Sequence, residues 1–273
     1  MEKQTYFFTI IIPTLNEEKF LPKLLKNLAQ QKMRNFEVIV VDAMSQDTTK
    51  SIVLSFLDKF PLLFIESKKK GVSHQRNVGA EHAKGEYLIM LDADCSISPF
   101  FTKKAYSEIK KNKGLIFFPY FTPDSSRDFP EMKLIFPLWN TFVELSQNTS
   151  KPFSIGGAMI FEHATYTLIG GYDESLTYAE DHAIIRTANK WGIRVKVLEN
   201  LKVIISTRRM KKEGRFKAFY KYVSSHLYLF FNDELRNQYF NYEMGGQGYE
   251  TFMKKKKQQK LKKIEEKFKT LFR

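Results

Sequence analysis

The chain has 273 residues, 44 of them Lys or Arg against 30 Asp or Glu, with 43% hydrophobic residues, 25 Phe, 13 Tyr and a single Cys. That length and apolar fraction suit one sizeable folded core, alone or with an appendage, and exclude a disordered basic tail protein. One cysteine excludes a disulfide framework and a cysteine-based zinc site, and is compatible with a reducing compartment.

Short β-rich runs and helical patterns alternate through the first half. Phe7–Pro13 (FFTIIIP) predicts a strand covered on both faces. Lys19–Gln31 then sets Leu21, Leu24, Leu25 and Leu28 on one helical stripe. Phe36–Val41 is a second buried strand, followed by a helix over Asp47–Lys59 capped by Asp47 or Ser45. Leu62–Ile65 is a third strand, Ser73–Lys84 a helix and Glu86–Leu91 a fourth strand. This alternation predicts an α/β fold with a mainly parallel twisted sheet, helices on its faces and right-handed crossovers.

Beyond residue 100 the spacing predicts a helix at Pro99–Lys111, a strand at Leu115–Phe118 and a helical stretch over 129–147 interrupted near Pro137. A strand at Ala158–Phe161, a helix at Asp181–Trp191 and two short strands, Val195–Val197 and Val203–Ser206, complete the body. Its longest apolar stretch, Tyr6–Ile12, falls far short of the roughly 18 residues of a membrane span. Asn16, Glu17 and Glu18 follow where a signal-peptide cleavage site would sit. The expected location is cytoplasmic, in solution or peripheral on the inner face of the plasma membrane.

The net charge of +14 is concentrated. Residues 208–221 hold seven bases and one acid, residues 254–273 ten bases and two acids, and the remainder is balanced at 27 of each. A protein that coats nucleic acid more often spreads bases over its folded face, so nucleic acid is not an expected partner. We divide the chain into a catalytic domain, 1–207, and a basic amphipathic helical extension, 208–273. Within the extension Phe216, Phe219, Tyr220, Val223, Leu227, Phe230 and Phe231 recur at helical spacing, residues 244–250 (MGGQGYE) read as a hinge, and Leu261, Ile264, Phe268 and Leu271 mark a second stripe. These stripes suit packing on the catalytic domain or contact with an anionic membrane, where each Lys adds about 1 kcal/mol.

Polar residues gather where the buried strands end. Strand one runs into Thr14, Asn16 and Glu17, strand two into Asp42, Ser45 and Asp47, and strand four into Asp92, Asp94 and Cys95. In an open parallel sheet, ligands bind outside the carboxyl ends of the strands. Asp92-Ala93-Asp94 offers two carboxylates to one hard divalent ion, Mg²⁺ or Mn²⁺, and leaves positions for water or phosphate. Alone, such a DxD also fits a solvated turn; the other two strand ends favour the metal reading.

The runs IIPTLNEEKFLPKLLKNL, FEVIVVDAMSQDTT, GVSHQRNVGAEHAKGEYLIMLDADC and GGAMIFEHATYTLIGGYDESLTYAEDHAIIRTANKWG together resemble the family 2 glycosyltransferases, nucleotide-sugar-dependent enzymes of GT-A (Rossmann-like) fold. The resemblance covers roughly residues 7–192 and rests on the combination and order of the motifs. It implies a nucleoside pocket made by Pro13, Thr14, Glu17, Asp42 and Ser45, with Asp42 accepting from the base. Arg76 and Asn77 match the Arg-Asn pair near the donor phosphates and sugar. Asp92, with its neighbour Ala93, and Asp94 match the metal-binding DxD. Glu180-Asp181 matches the ED pair in which Asp181 is the general base, and Gly156 and Gly157 lie where the family forms its acceptor-side floor. A basic residue, Arg208 or Arg209, would close over the diphosphate.

Three departures narrow that reading. Gln75 stands where alanine is common, His182-Ala183-Ile184-Ile185-Arg186 lacks a frequent second acid, and no Gln-x-x-Arg-Trp occurs. The last of these, together with the expected absence of membrane spans, favours transfer of a single sugar over processive synthesis. Asp47 is expected to cap a helix, Cys95 to fill space, and His182 and His226 to be structural or surface residues. The expected activity is inverting, metal-dependent transfer from a nucleoside-diphosphate sugar to a sugar or lipid-linked acceptor. A nucleotidyltransferase and a non-catalytic nucleotide-sugar binding module are the alternatives.

Overall fold

A computed structural model describes residues 6–124, 132–154, 156–176 and 179–207. Expectations that fall on Arg208, Arg209, His226, the hinge and both basic stripes therefore lie outside the described residues. So does the far side of the proposed domain boundary.

The elements run β1 (Tyr6–Thr14), α1 (Leu21–Ala29), β2 (Phe36–Asp42), α2 (Thr49–Leu54), β3 (Leu62–Glu66), α3 (Val72–Glu81), β4 (Gly85–Leu91), β5 (Ser96–Ile97), α4 (Phe101–Asn112), β6 (Ile116–Pro123), α5 (Met132–Ser146), β7 (Ala158–Glu162), α6 (His163–Leu168), α7 (Glu180–Lys190) and β8 (Val195–Ile205). One sheet takes them in the order β3-β2-β1-β4-β7-β6-β8-β5. Strands β3, β2, β1, β4, β6 and β8 point one way, while β7 and β5 are antiparallel to their neighbours. The sheet is thus mainly parallel.

The parallel half follows directly from its sequence. β2 is buried at every position and β1 nearly so, because helices cover both faces and leave no solvent side for alternation. Leu21, Leu24, Leu25 and Leu28 of α1 are all fully buried. α3 comes close to β1 at Gly79, where an added Cβ would sit 2.4 Å from Ile11 Cγ2. That close approach places Arg76, one turn earlier, over the sheet edge.

The second half departs from the expected boundaries for identifiable reasons. α5 runs unbroken from Met132 to Ser146 with Pro137 inside it. An interior proline costs a helix roughly 3 kcal/mol; here Asn140 ties α5 to β6, its amide donating to Phe121 O at 3.0 Å and accepting from Phe121 N at 3.1 Å. The two expected late strands are one, β8. Pairing with β6 jumps from Pro119↔Leu198 to Tyr120↔Lys202, so a bulge carries the polar Glu199-Asn200 that had divided the sequence pattern. α2 ends at Leu54, short of the expected Lys59, and β5 and α6 had no clear signal because both are too short for periodicity. The N-cap of α2 is Thr48, which makes no side-chain capping bond; Asp47 stands one residue earlier, and its Oδ1 accepts from Thr49 N at 3.0 Å.

Candidate active site

At the carboxyl edge, the loops after β1 and β2 are laced together. Asp42 is 2% exposed, and its Oδ1 accepts from Thr14 Oγ1 (2.8 Å) and Ser45 Oγ (2.6 Å) while Oδ2 accepts from Ser45 N (2.7 Å). The Ser45 hydroxyl in turn accepts from Asn16 N at 2.7 Å, and Asn16 Oδ1 accepts from Gln46 N at 2.8 Å. Asn16 sits at φ 54, a left-handed conformation that asparagine tolerates better than most residues. Glu17 is buried, and its backbone N–H donates to Thr49 Oγ1 at 2.9 Å. Pro13 and Thr14 are the last residues of β1, paired with Val41 and Asp42.

Gln75, the departure from the family pattern, explains how this edge is held. Its buried amide donates to Thr14 O (2.8 Å) and Val41 O (2.7 Å), clamping the ends of β1 and β2 from α3. An alanine there would leave both bonds unmade.

The ionic centre lies next to it. Arg76 is 3% exposed; Nη1 donates to Asp181 Oδ1 (2.9 Å) and Glu180 Oε1 (3.2 Å), and Nη2 to Asp92 Oδ1 (3.0 Å). Tyr172 covers its guanidinium at 4.9 Å from the ring centroid. The guanidinium thereby joins the DxD turn after β4 to the acidic pair that opens α7. Burial disfavours the charge on Arg76, but the surrounding carboxylates, Asp181 foremost, hold it protonated. Burial pushes the Asp181 carboxyl up to about 7; Arg76 opposes the shift, while the Glu180 and Asp92 charges add to it.

The second oxygen of Asp181 faces Gly156, where a Cβ would lie 2.6 Å from Oδ2. Gly156 is exposed and Gly157 buried at φ 118, so the chain turns sharply into β7 beside the carboxylate. Asp92 N donates to Gly157 O at 2.9 Å, joining that turn to the DxD. Asp92 and Asp94 are both half-buried, with Ala93 tucked inward between them at 4% exposure. Among the described residues, no group of three or more His, Cys, Asp or Glu side chains is placed to hold a metal. Two half-exposed carboxylates fit a hard divalent ion that takes its other oxygens from water and phosphate.

Asn77 takes a different place from the one expected of a donor ligand. Its amide donates to Tyr172 O (2.9 Å) and Glu174 Oε1 (3.0 Å), and its oxygen accepts from Tyr166 Oη (2.6 Å) and Tyr172 N (3.0 Å). These four bonds fill the capacity of an amide side chain. They pin the 170–174 loop, which Glu174 fastens again through Lys69 (2.5 Å) and His74 (3.0 Å). The sequence signal for this clamp was Gly170-Gly171: both adopt positive φ, and a Cβ on Gly171 would meet Asn77 Oδ1 at 2.8 Å. His182 is buried, its Nδ1 2.7 Å from the buried Ser154 Oγ. Cys95 is buried, and its thiol is pushed well up by burial and by the nearby Asp92 and Asp94.

A mainly parallel sheet with buried strand ends, a DxD turn and an Arg-linked acidic pair defines an α/β protein of GT-A type. Residues 9–168, more than half of the chain, match the family described as Glycosyl transferase family 2, and the chain belongs to that family. It is 28% identical over 211 residues to poly(ribitol-phosphate) β-N-acetylglucosaminyltransferase TarS of Staphylococcus aureus, covering 74% of this chain and 36% of that protein. It is 33% identical over 89 residues to a GalNAc(5)-diNAcBac-PP-undecaprenol β-1,3-glucosyltransferase of Campylobacter jejuni, covering 32% of this chain and 29% of that one. The crystal structure of S. aureus TarS 1–349 with UDP superimposes with a TM-score of 0.61 at 25% identity, over 73% of this chain and 60% of that one. A mannosyltransferase from Pyrobaculum calidifontis, solved with GDP-Man and Mn²⁺, shares the fold with a TM-score of 0.60 at 22% identity, over 73% of this chain and 56% of that one. The chain thus spans about a third of the length of the two curated relatives, and 60% and 56% of the two solved chains. Among the described residues, no helix is long and apolar enough to cross a membrane.

Proposed function

We propose that the protein is an inverting glycosyltransferase that moves one sugar from a nucleoside-diphosphate sugar to a hydroxyl of a sugar or lipid-linked acceptor. The observation that carries this reading is Arg76, whose guanidinium binds Asp92 on one side and Asp181 on the other. It couples the carboxylate nearest the leaving diphosphate to the carboxylate that would receive the acceptor's proton.

Pro13, Thr14, Glu17, Asp42 and Ser45 form the nucleoside pocket in this scheme. Asp42 uses three acceptor positions within the protein and keeps one on Oδ2 for a base N–H. Asp92 and Asp94 would hold Mg²⁺ or Mn²⁺, which neutralises the charge that builds on the departing diphosphate. Arg76 supplies fixed positive charge in the same water-poor cleft. With Oδ1 held by Arg76, Asp181 presents Oδ2 across Gly156 and takes the proton as the acceptor oxygen attacks the anomeric carbon. One base and one in-line displacement invert that carbon, so the protein needs no nucleophile of its own. Glu180 keeps the arginine oriented, and Arg208 or Arg209 would close over the phosphates. Relatives named for a poly(ribitol-phosphate) and for an undecaprenol-linked acceptor support a carrier-borne acceptor here. The basic extension would then meet an anionic membrane surface.

Thermal-shift measurements with UDP, GDP, CDP and dTDP sugars, with and without Mn²⁺, test the donor site. Stabilisation by one donor that disappears with EDTA is expected; stabilisation by none would reject the reading. Release of pyrophosphate from a nucleoside triphosphate would point instead to nucleotidyl transfer.

A further inference from the structure

Tyr172 sits in the ionic centre without a step of its own in the proposed transfer. It is 2% exposed, and its ring lies over the Arg76 guanidinium. Phe161 and Tyr166 brace that ring, at 6.2 and 6.1 Å between centroids. One side chain holds both of its backbone groups: Asn77 Oδ1 accepts from Tyr172 N (3.0 Å), and Asn77 Nδ2 donates to Tyr172 O (2.9 Å). Asn77 follows Arg76 on α3, so neighbouring residues supply the cation and the anchor of the ring that covers it. Gly171, at φ 67, admits this approach; a Cβ there would meet Asn77 Oδ1 at 2.8 Å and Tyr166 Cε1 at 3.2 Å.

Its hydroxyl is what packing does not explain. Contact with Arg76, Phe161 and Tyr166 needs only an aromatic ring, which phenylalanine supplies without a polar atom. Tyr172 Oη is nevertheless buried and makes no hydrogen bond of full geometry. Burying a hydroxyl in that way costs free energy unless a neighbouring group makes use of it. The neighbour is Asp181. Burial pushes the Asp181 carboxyl up, and Arg76 and the Tyr172 hydroxyl both pull it back down, as donors to the charged form do. Burial also pushes the phenol well up, outweighing the nearby Arg76 charge, so it stays protonated and able to donate.

We infer that Tyr172 is a positioning residue for Asp181: clamped by Asn77, it steadies the Arg76 guanidinium with its ring and keeps its hydroxyl as a donor to the ionised carboxylate. This rests on the reading of Asp181 as the base, and adds a neutral donor to the charged one. Arg76 from α3 and Tyr172 from the loop before α7 favour the ionised form. Glu180 on the same helix and Asp92 from the turn after β4 oppose it, while His182, next in the chain, faces Ser154 Oγ. A carboxylate balanced between these groups is ionised before attack and still basic enough to take the acceptor's proton.

The titration of Asp181 tests this in the full chain, followed by the Cγ signal of ¹³C-labelled aspartate and assigned by its loss in Asp181→Asn. Tyr172→Phe keeps the ring on Arg76 and removes only the hydroxyl. Its Asp181 midpoint should rise by about half a pH unit or more, because a donor to the charged form is lost. General loosening predicts the reverse, since water entering the site eases the burial that raises the carboxyl. A midpoint within about 0.2 pH unit of the parent, or below it, would overturn the proposal. Tyr166→Phe is the control: it removes the neighbouring phenol, which donates to Asn77 Oδ1 at 2.6 Å, and leaves the Tyr172 hydroxyl in place. An equal rise in that variant would overturn the proposal as well. The base role itself stands or falls on the turnover of Asp181→Asn, so the two failures are distinct.

Discussion

Two buried carboxylates at one sheet edge are satisfied in opposite ways. Asp42 is enclosed by a hydroxyl, a second hydroxyl and a backbone N–H, all from residues that shape the loops around it. Asp181 is held by a buried guanidinium through one oxygen, while its other oxygen faces an exposed glycine. Neutral donors fix a shape; a shared cation in a crowd of acids fixes a charge balance that a proton can tip. The first arrangement suits a recognition pocket and the second suits a group that must gain a proton during a reaction.

That contrast can be broken from either side. Asp181→Asn keeps the size and a hydrogen bond but removes the base, so turnover should fall by about 10² to 10⁴ while nucleotide-dependent thermal stabilisation persists. Turnover within threefold of the parent would remove Asp181 from the role. Arg76→Gln leaves three acids at the centre without their cation; loss of a buried partner typically costs about 3–5 kcal/mol, read as a lower midpoint in urea. Gly156→Ala pushes a methyl group against Asp181 Oδ2, and about a tenfold or greater loss of kcat at near-normal stability is expected. Unchanged kinetics would show that Oδ2 does not work across this turn. The acid limb of the activity profile should lie close to pH 7, far above the range of an ordinary carboxylate, because Asp181 accepts a proton only when ionised. Activity therefore rises with pH through that limb, and a limb near pH 4 would contradict it. The smallest effect is expected at Ser45→Ala, which removes hydroxyl contacts around Asp42 and should cost about 1 kcal/mol with weaker nucleotide binding.

Much of this protein was legible in its residues. The apolar β-branched runs at 7–13 and 36–41 and the leucine stripe at 21–28 fall where strands and helix form, because burial on both faces leaves a continuous apolar signature. Thr14, Asp42 and Asp92 were identifiable by their place at strand ends. The less legible features are those whose periodicity is broken: the bulge in β8, the two-residue β5, and α5 carried through Pro137.

Sequence alone thus determined the order of elements and the chemical types at the sheet edge, since both depend on residues close together in the chain. Only the tertiary structure decided which of those groups meet in one ionic cluster. Arg76 reaches Asp181 across 105 positions, and Asn77 spends its whole amide on a loop 95 residues away, leaving the neighbouring arginine to bind both acidic motifs. Contacts of that range come from the close seat of α3 on β1 at Gly79 and the turn of β7 back toward β4. Spacing along a chain carries no record of either.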